Sequence, residues 1–86
     1  MMTKVKANME IFESGDVKIL YSYSVPVAAY TPSTGLVQTD IEFGEYTTRH
    51  IAAFLNGAEA ATVAQKIIDE IEAQHRDFGP DLMDHA

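Results

Sequence analysis

Between residues 4 and 12, Val5, Ala7, Met9 and Ile11 alternate with Lys4, Lys6, Asn8 and Glu10. A period of two sends successive side chains to opposite faces, so this stretch predicts a strand with one buried face. "ESGD" at 13–16 supplies turn formers, and "VKILYSY" then resumes the alternation, with Val17, Ile19, Tyr21 and Tyr23 on one side. Pro26 has no N–H to give to a ladder, which predicts a bend followed by an edge strand over residues 27–30. "TPSTG" at 31–35 reads as a loop. A fourth strand follows, in which Val37, Thr39, Ile41 and Phe43 alternate with Leu36, Gln38, Asp40 and Glu42.

After Gly44 the period changes. Ile51, Phe54 and Leu55 fit one face of a short helix, which Asn56 and Gly57 stop because Gly tolerates the left-handed conformation of the last turn. Thr47 or Thr48 reads as its N-cap, a hydroxyl worth about 1 kcal/mol there. A second helix is predicted from about residue 58 to residue 74, with Ala60, Ala64, Ile67, Ile68 and Ile71 as its apolar stripe. The expected fold class is therefore α+β, a four-stranded antiparallel meander followed by two helices packed on one face. A single domain spans residues 1–77, and 78–86 form a tail whose Phe78, Leu82 and Met83 could dock on the domain or on another copy.

Composition narrows the class. Eighty-six residues allow one core, and 47% hydrophobic against 22% charged residues describes a globular chain despite a net charge of -7. Without Cys there is neither a disulfide nor a thiolate metal site. No apolar run approaches the roughly 18 residues of a membrane span, and Asn8 and Glu10 interrupt the stretch where a signal peptide would be apolar. The expectation is a cytoplasmic protein, in the host cytoplasm if viral, with no membrane partner. Only six Lys and Arg residues argue against direct nucleic-acid binding. Beyond Gly57 there are seven acids against two bases, so a charged partner should be basic.

One segment resembles chemistry: "YTTRHI" at 46–51. A Thr nucleophile with His50 as its base needs an orienting acid and an oxyanion hole, yet no Gly-rich elbow or matching Asp motif is present. No catalytic residue is assigned, and the expectation is a protein that is not an enzyme. His50, His75 and His85 lack metal-ligand spacing, so no metal or cofactor is expected. "DFG" at 77–79 stands without the other loops of a kinase.

The helix macrodipole disfavours positive charge at a helix start, so stability does not explain Arg49 and His50 there. Either His50 packs back on the sheet while Arg49 meets solvent or Glu45, or Arg49, the Thr hydroxyls and free helix N–H groups form a small anion pocket. Tyr30, beside the Pro-containing edge, is the aromatic expected to be most exposed. Asp69, Glu70 and Glu72 give the second helix its acidic surface. Tyr30, Arg49, His50, Asp69, Glu70 and Glu72 are thus the binding candidates.

Two segments, "LYSYSVPVAAY" at 20–30 and "YTTRHIAAFL" at 46–55, resemble the two blocks of a family of small uncharacterised phage and prophage proteins. Those blocks read L-x-S-Y-x-T-P-V-A and then T-T-S-x-H-I before a short helix. This chain departs from them at Val25, where the family has Thr, and at Arg49, which follows the Thr pair with no intervening Ser. The resemblance implies a viral origin and transfers no catalytic residue. Together with the acidity it leads to the expectation of a protein-binding module for a host or viral protein with a basic surface. An inhibitor of a host nucleic-acid-handling or defence system, of the anti-CRISPR kind, would fit that description. The alternatives are a small-ligand or anion-binding module at residues 47–50 and a structural homo-oligomer, such as a homodimer.

Overall fold

The structure, a computed structural model, describes residues 1–76; the expected tail at 78–86, with Phe78, Leu82, Met83 and His85, lies outside the described residues. Five strands form an antiparallel meander: β1 (Met2–Lys6), β2 (Met9–Ser14), β3 (Val17–Ser22), β4 (Val25–Thr31) and β5 (Gly35–Thr39). Helix α1 (Glu45–Leu55) then crosses over, and β6 (Ala61–Val63) returns parallel to β5. Helix α2 (Gln65–His75) follows. The sheet has six strands in sequence order, not the expected four.

Each extra strand has a local cause. The alternation over residues 4–12 is interrupted by a two-residue turn at 7–8, where Asn8 takes φ 63, so one expected strand is a hairpin. Asn visits the left-handed region more readily than most residues, and the register shift between Lys4 and Lys6 sets Lys4 opposite Glu10 and Thr3 opposite Ile11, so the two arms keep one parity and the alternation runs through the turn unmarked. The stretch expected to open the second helix instead contributes Ala61–Val63 to the sheet. Thr62 and Val63 are β-branched and suit a strand, and the Val63 carbonyl accepts the Asp40 N–H at 2.9 Å. Residues 40–43, the end of the expected fourth strand, lie outside β5.

Ile19 and Leu20 are adjacent in β3 and both fully buried, which a one-sided sheet cannot achieve. Two cores result, one on each face. Ile68 and Ile71 of α2 cover Val17, Ile19, Tyr21, Ala29 and Val37. Ile51 and Phe54 of α1 cover Met9, Leu20, Val27 and Ala28 on the other. The helices therefore sandwich the sheet, and the expectation of both on one face is corrected.

Pro26 does not mark an edge. It lies in β4, an interior strand, and pairs with Tyr21 while Ala28 pairs with Leu20. Val27 is thus the extra residue of a β-bulge, the setting in which a sheet tolerates a residue without an N–H. The Pro26 carbonyl is taken up by Gln65 Nε2 at 2.7 Å, which ties the bulge to the first turn of α2.

A meander alternates its turns between two ends. Turns 7–8 and 23–24, loop 40–44 and the start of both helices share one end, here called the Tyr23 end. Turns 15–16 and 32–34 and the segment 56–60 share the opposite end.

Candidate functional site

The expected helix cap is not made by a Thr. Gly44 occupies the N-cap with φ 124 and ψ 176, a region essentially reserved for Gly, and no side chain caps the helix. Both Thr residues lie one turn inside it. Thr48 Oγ1 donates to the Gly44 carbonyl at 2.9 Å, while Thr47 is buried and faces the sheet.

What Thr47 meets is Ser22, at 2.8 Å between hydroxyl oxygens, and Ser22 Oγ also lies 2.8 Å from His50 Nδ1. Ser22 is 2% and His50 5% exposed, and the Tyr23 ring lies beside the imidazole with centroids 6.0 Å apart. Burial, and then the positive charge of Lys6, hold His50 below its ordinary value of 6.5. A neutral imidazole with its proton on Nε2 accepts from Ser22, which in turn accepts from Thr47. A Ser–His bond of this length would suit nucleophilic catalysis if a substrate could reach it, but the sheet and α1 enclose both groups. The arrangement is a hydrogen-bonded clamp between helix and sheet.

Arg49 is exposed and forms an ion pair with Glu45, one turn earlier, and its guanidinium lies 5.8 Å from the Tyr46 ring centroid. The helix start therefore does not gather Thr47, Thr48, Arg49 and His50 into one pocket. Thr47 and His50 point inward, Thr48 turns to its own backbone, and Arg49 lies along the outside.

The other candidates are dispersed. Tyr30 is half-buried near the opposite end of the α1 face, where it borders an open groove with Ile11, Leu36 and Phe54. Asp69 and Glu70 are exposed on α2, Asp69 accepting from Gln65 Nε2 at 3.0 Å. Glu72 is half-buried and accepts the Tyr21 hydroxyl at 2.5 Å. Burial first and this bond second push the Tyr21 hydroxyl up to about 12. The Arg76 guanidinium lies over the Tyr21 and Phe12 rings, at 5.0 and 5.4 Å. Glu72 thus serves the α2 core rather than a surface.

A different constellation emerges from the exposed apolar side chains. Among the described residues, the large ones apart from Met1 are Val5, Tyr23, Val25, Ile41, Phe43 and Tyr46, between 37% and 62% exposed, and the topology brings all six to the Tyr23 end. Tyr23 and Ser24 form the β3–β4 turn with φ 53 and 68, left-handed values that cost a non-glycine residue energy. Alternation in the sequence assigned Tyr23 to the second expected strand and Ile41 and Phe43 to the fourth, and all three lie outside the strands. The signal available in the sequence was the absence of any polar turn pair between Tyr21 and Pro26.

Residues 2–70 match the family of unknown function DUF8033. The chain belongs to DUF8033. The match takes in the whole sheet, α1, the Ser22–His50–Thr47 clamp and the first half of α2, so all six exposed apolar residues lie within the DUF8033 span. No curated protein and no solved structure matches the chain. Among the described residues, no group of His, Asp and Glu is placed to hold a metal ion, and no helix is long and apolar enough to cross a membrane.

Proposed function

We propose that this DUF8033 chain is a non-enzymatic protein-binding module whose contact surface is the Tyr23 end. The observation that carries this reading is the collection, among the described residues, of six exposed large apolar side chains in or beside three connections at one end of the sheet. Small domains scatter such residues singly, so their gathering at one end, beside charged side chains, favours an interaction surface. Tyr23, Phe43 and Tyr46 are the large rigid rings that anchor interfaces, because they bury much area for little lost entropy. The enclosed Ser22–His50 pair gives a substrate no approach, which supports a binding role over a hydrolytic one.

The test is a photo-cross-linking amino acid placed in turn at Phe43, at Tyr23 and, as a control, at Pro32 on the opposite end. Adducts are expected from Phe43 and Tyr23 in cells expressing the chain, whichever protein they join, and not from Pro32. Equal yields from all three positions, or none from the first two, would remove the proposal.

Asp40 and Glu42 flank Ile41 and Phe43, which favours a second reading of the same surface. In that reading a basic protein of a viral host, one that handles nucleic acid or defends the cell, is blocked by this acidic rim. The α2 surface contributes less to it, since Glu72 is committed to Tyr21 and Lys66 stands beside Asp69 and Glu70. Capture of such a protein at low salt, and its loss on Phe43→Ser, is the expected result.

A further inference from the structure

The partner chemistry of the Tyr23 end can be read from how its charges are ordered across the sheet, an inference that rests on the reading of that end as a protein-binding surface. On the β1 side stand Lys4 and Lys6, with Glu10 opposite Lys4 in the ladder. On the β5 side stand Asp40, Glu42 and Glu45, of which Glu45 is paired with Arg49, and the first turn of α2 adds the single positive charge of Lys66. One side is thus net positive and the other net negative. Between them lies the β3–β4 turn, at the middle of the six-strand order, with Tyr23 and Val25 exposed.

This order is antisymmetric about its own centre. Turning a second copy by 180° about the sheet normal brings its Tyr23 end face to face with the first and reverses the strand order. The β1 side of each copy then meets the β5 side of the other. Lys4 and Lys6 approach Asp40 and Glu42 twice, once on each side of the axis, and the two Tyr23 turns meet on it. A two-fold axis lying across the strands would instead set like charges together. We infer that the Tyr23 end pairs with a second copy of this chain about an axis along the sheet normal. The edge strands are unsuited to carry that role: β6 is three residues long, and β1 is interrupted by a register shift between Lys4 and Lys6.

The experiment is sedimentation equilibrium on the full chain, alone and as two charge variants, Lys4→Glu with Lys6→Glu and Asp40→Lys with Glu42→Lys. The unaltered chain should sediment at twice its 9.5 kDa mass, and each variant at the single-chain mass, because the four positions 4, 6, 40 and 42 become all acidic in one variant and all basic in the other. An equimolar mixture of the two variants should recover the double mass, since every contact is again between opposite signs. Phe43→Ser should weaken the pairing at least tenfold. Far-ultraviolet circular dichroism confirms that each variant is folded. An unaltered chain that sediments singly overturns the inference; cross-links from Phe43 to other proteins would then show that the surface binds protein but not itself. Variants that pair as the unaltered chain does, or a mixture that stays single, also overturn it.

Discussion

Ser22 holds two partners through a single hydroxyl, and that economy sets how the protein responds to acid. His50 is neutral in its buried site because a charged imidazole would be poorly solvated and would face Lys6. The unfolded chain takes up its proton near 6.5, the folded chain only at lower pH, so below 6.5 the unfolded state binds more protons. The stability held in this group is complete above that value and is lost as pH falls through it. Thermal unfolding followed from pH 7 to pH 5 should show a falling midpoint that is shallower in His50→Gln, and equal slopes would contradict the assignment. Tyr21 works at the other limit. Its folded value of about 12 lies above the ordinary 10.0, so its contribution is full below pH 10 and is lost as pH rises from 10 towards 12. Tyrosinate absorbance should show a step near pH 12, and Tyr21→Phe should remove that step. The same substitution should cost about 1.5–3 kcal/mol, the usual value of a hydrogen bond to a charged acceptor, measured by urea unfolding.

Among the elements, α1 depends on its entry more than on its cap. Gly44 sits at φ 124 with nothing within 4 Å of where a Cβ would stand, so the barrier to substitution lies in the backbone and not in packing. Gly44→Ala should therefore destabilise by about 1–3 kcal/mol, read as a lowered urea midpoint with an unchanged denaturant slope. A neutral result would mean that the loop has another conformation available. This entry also shows why the sequence misled. A hydroxyl before a helical period reads as a cap, but Thr47 is the third residue of the helix and its hydroxyl is spent on Ser22 in β3, a partner 25 residues away. Long-range bonds of that kind leave no local trace. The antiparallel strands over residues 9–39 were largely legible from their period of two. The turn at 7–8 and the turn at 23–24 were not, because neither uses the Asn-Gly or Asp-Gly pairs that announce a hairpin. Of the candidate site residues, Arg49 did what its neighbour Glu45 invited, while the exposed Ile41 and Phe43, on which the proposed surface rests, were read as positions of a strand.

At the scale of the molecule, the corrected layering turns on one pair of neighbours. Ile19 and Leu20 at full burial require cover on both sides, which the run "VKIL" hinted at by breaking strict alternation. Because α2 supplies one of those covers, the last element of the described chain completes the molecule rather than decorating it. Ile68 and Ile71 together withdraw apolar area worth about 1.5–3 kcal/mol each from water. A chain cut after residue 64 should bind a hydrophobic dye and precipitate on warming, whereas one that stayed dispersed and cooperatively folded would show that the face needs no lid. The same arrangement bears on synthesis. A ribosome makes the chain from its N-terminus, so the meander can pair its strands by short, local steps while Val17, Ile19, Tyr21 and Val37 still lack their helix. During that interval the nascent sheet presents a bare apolar face to every other chain nearby, and it stays sticky until Gln65–His75 has emerged and docked.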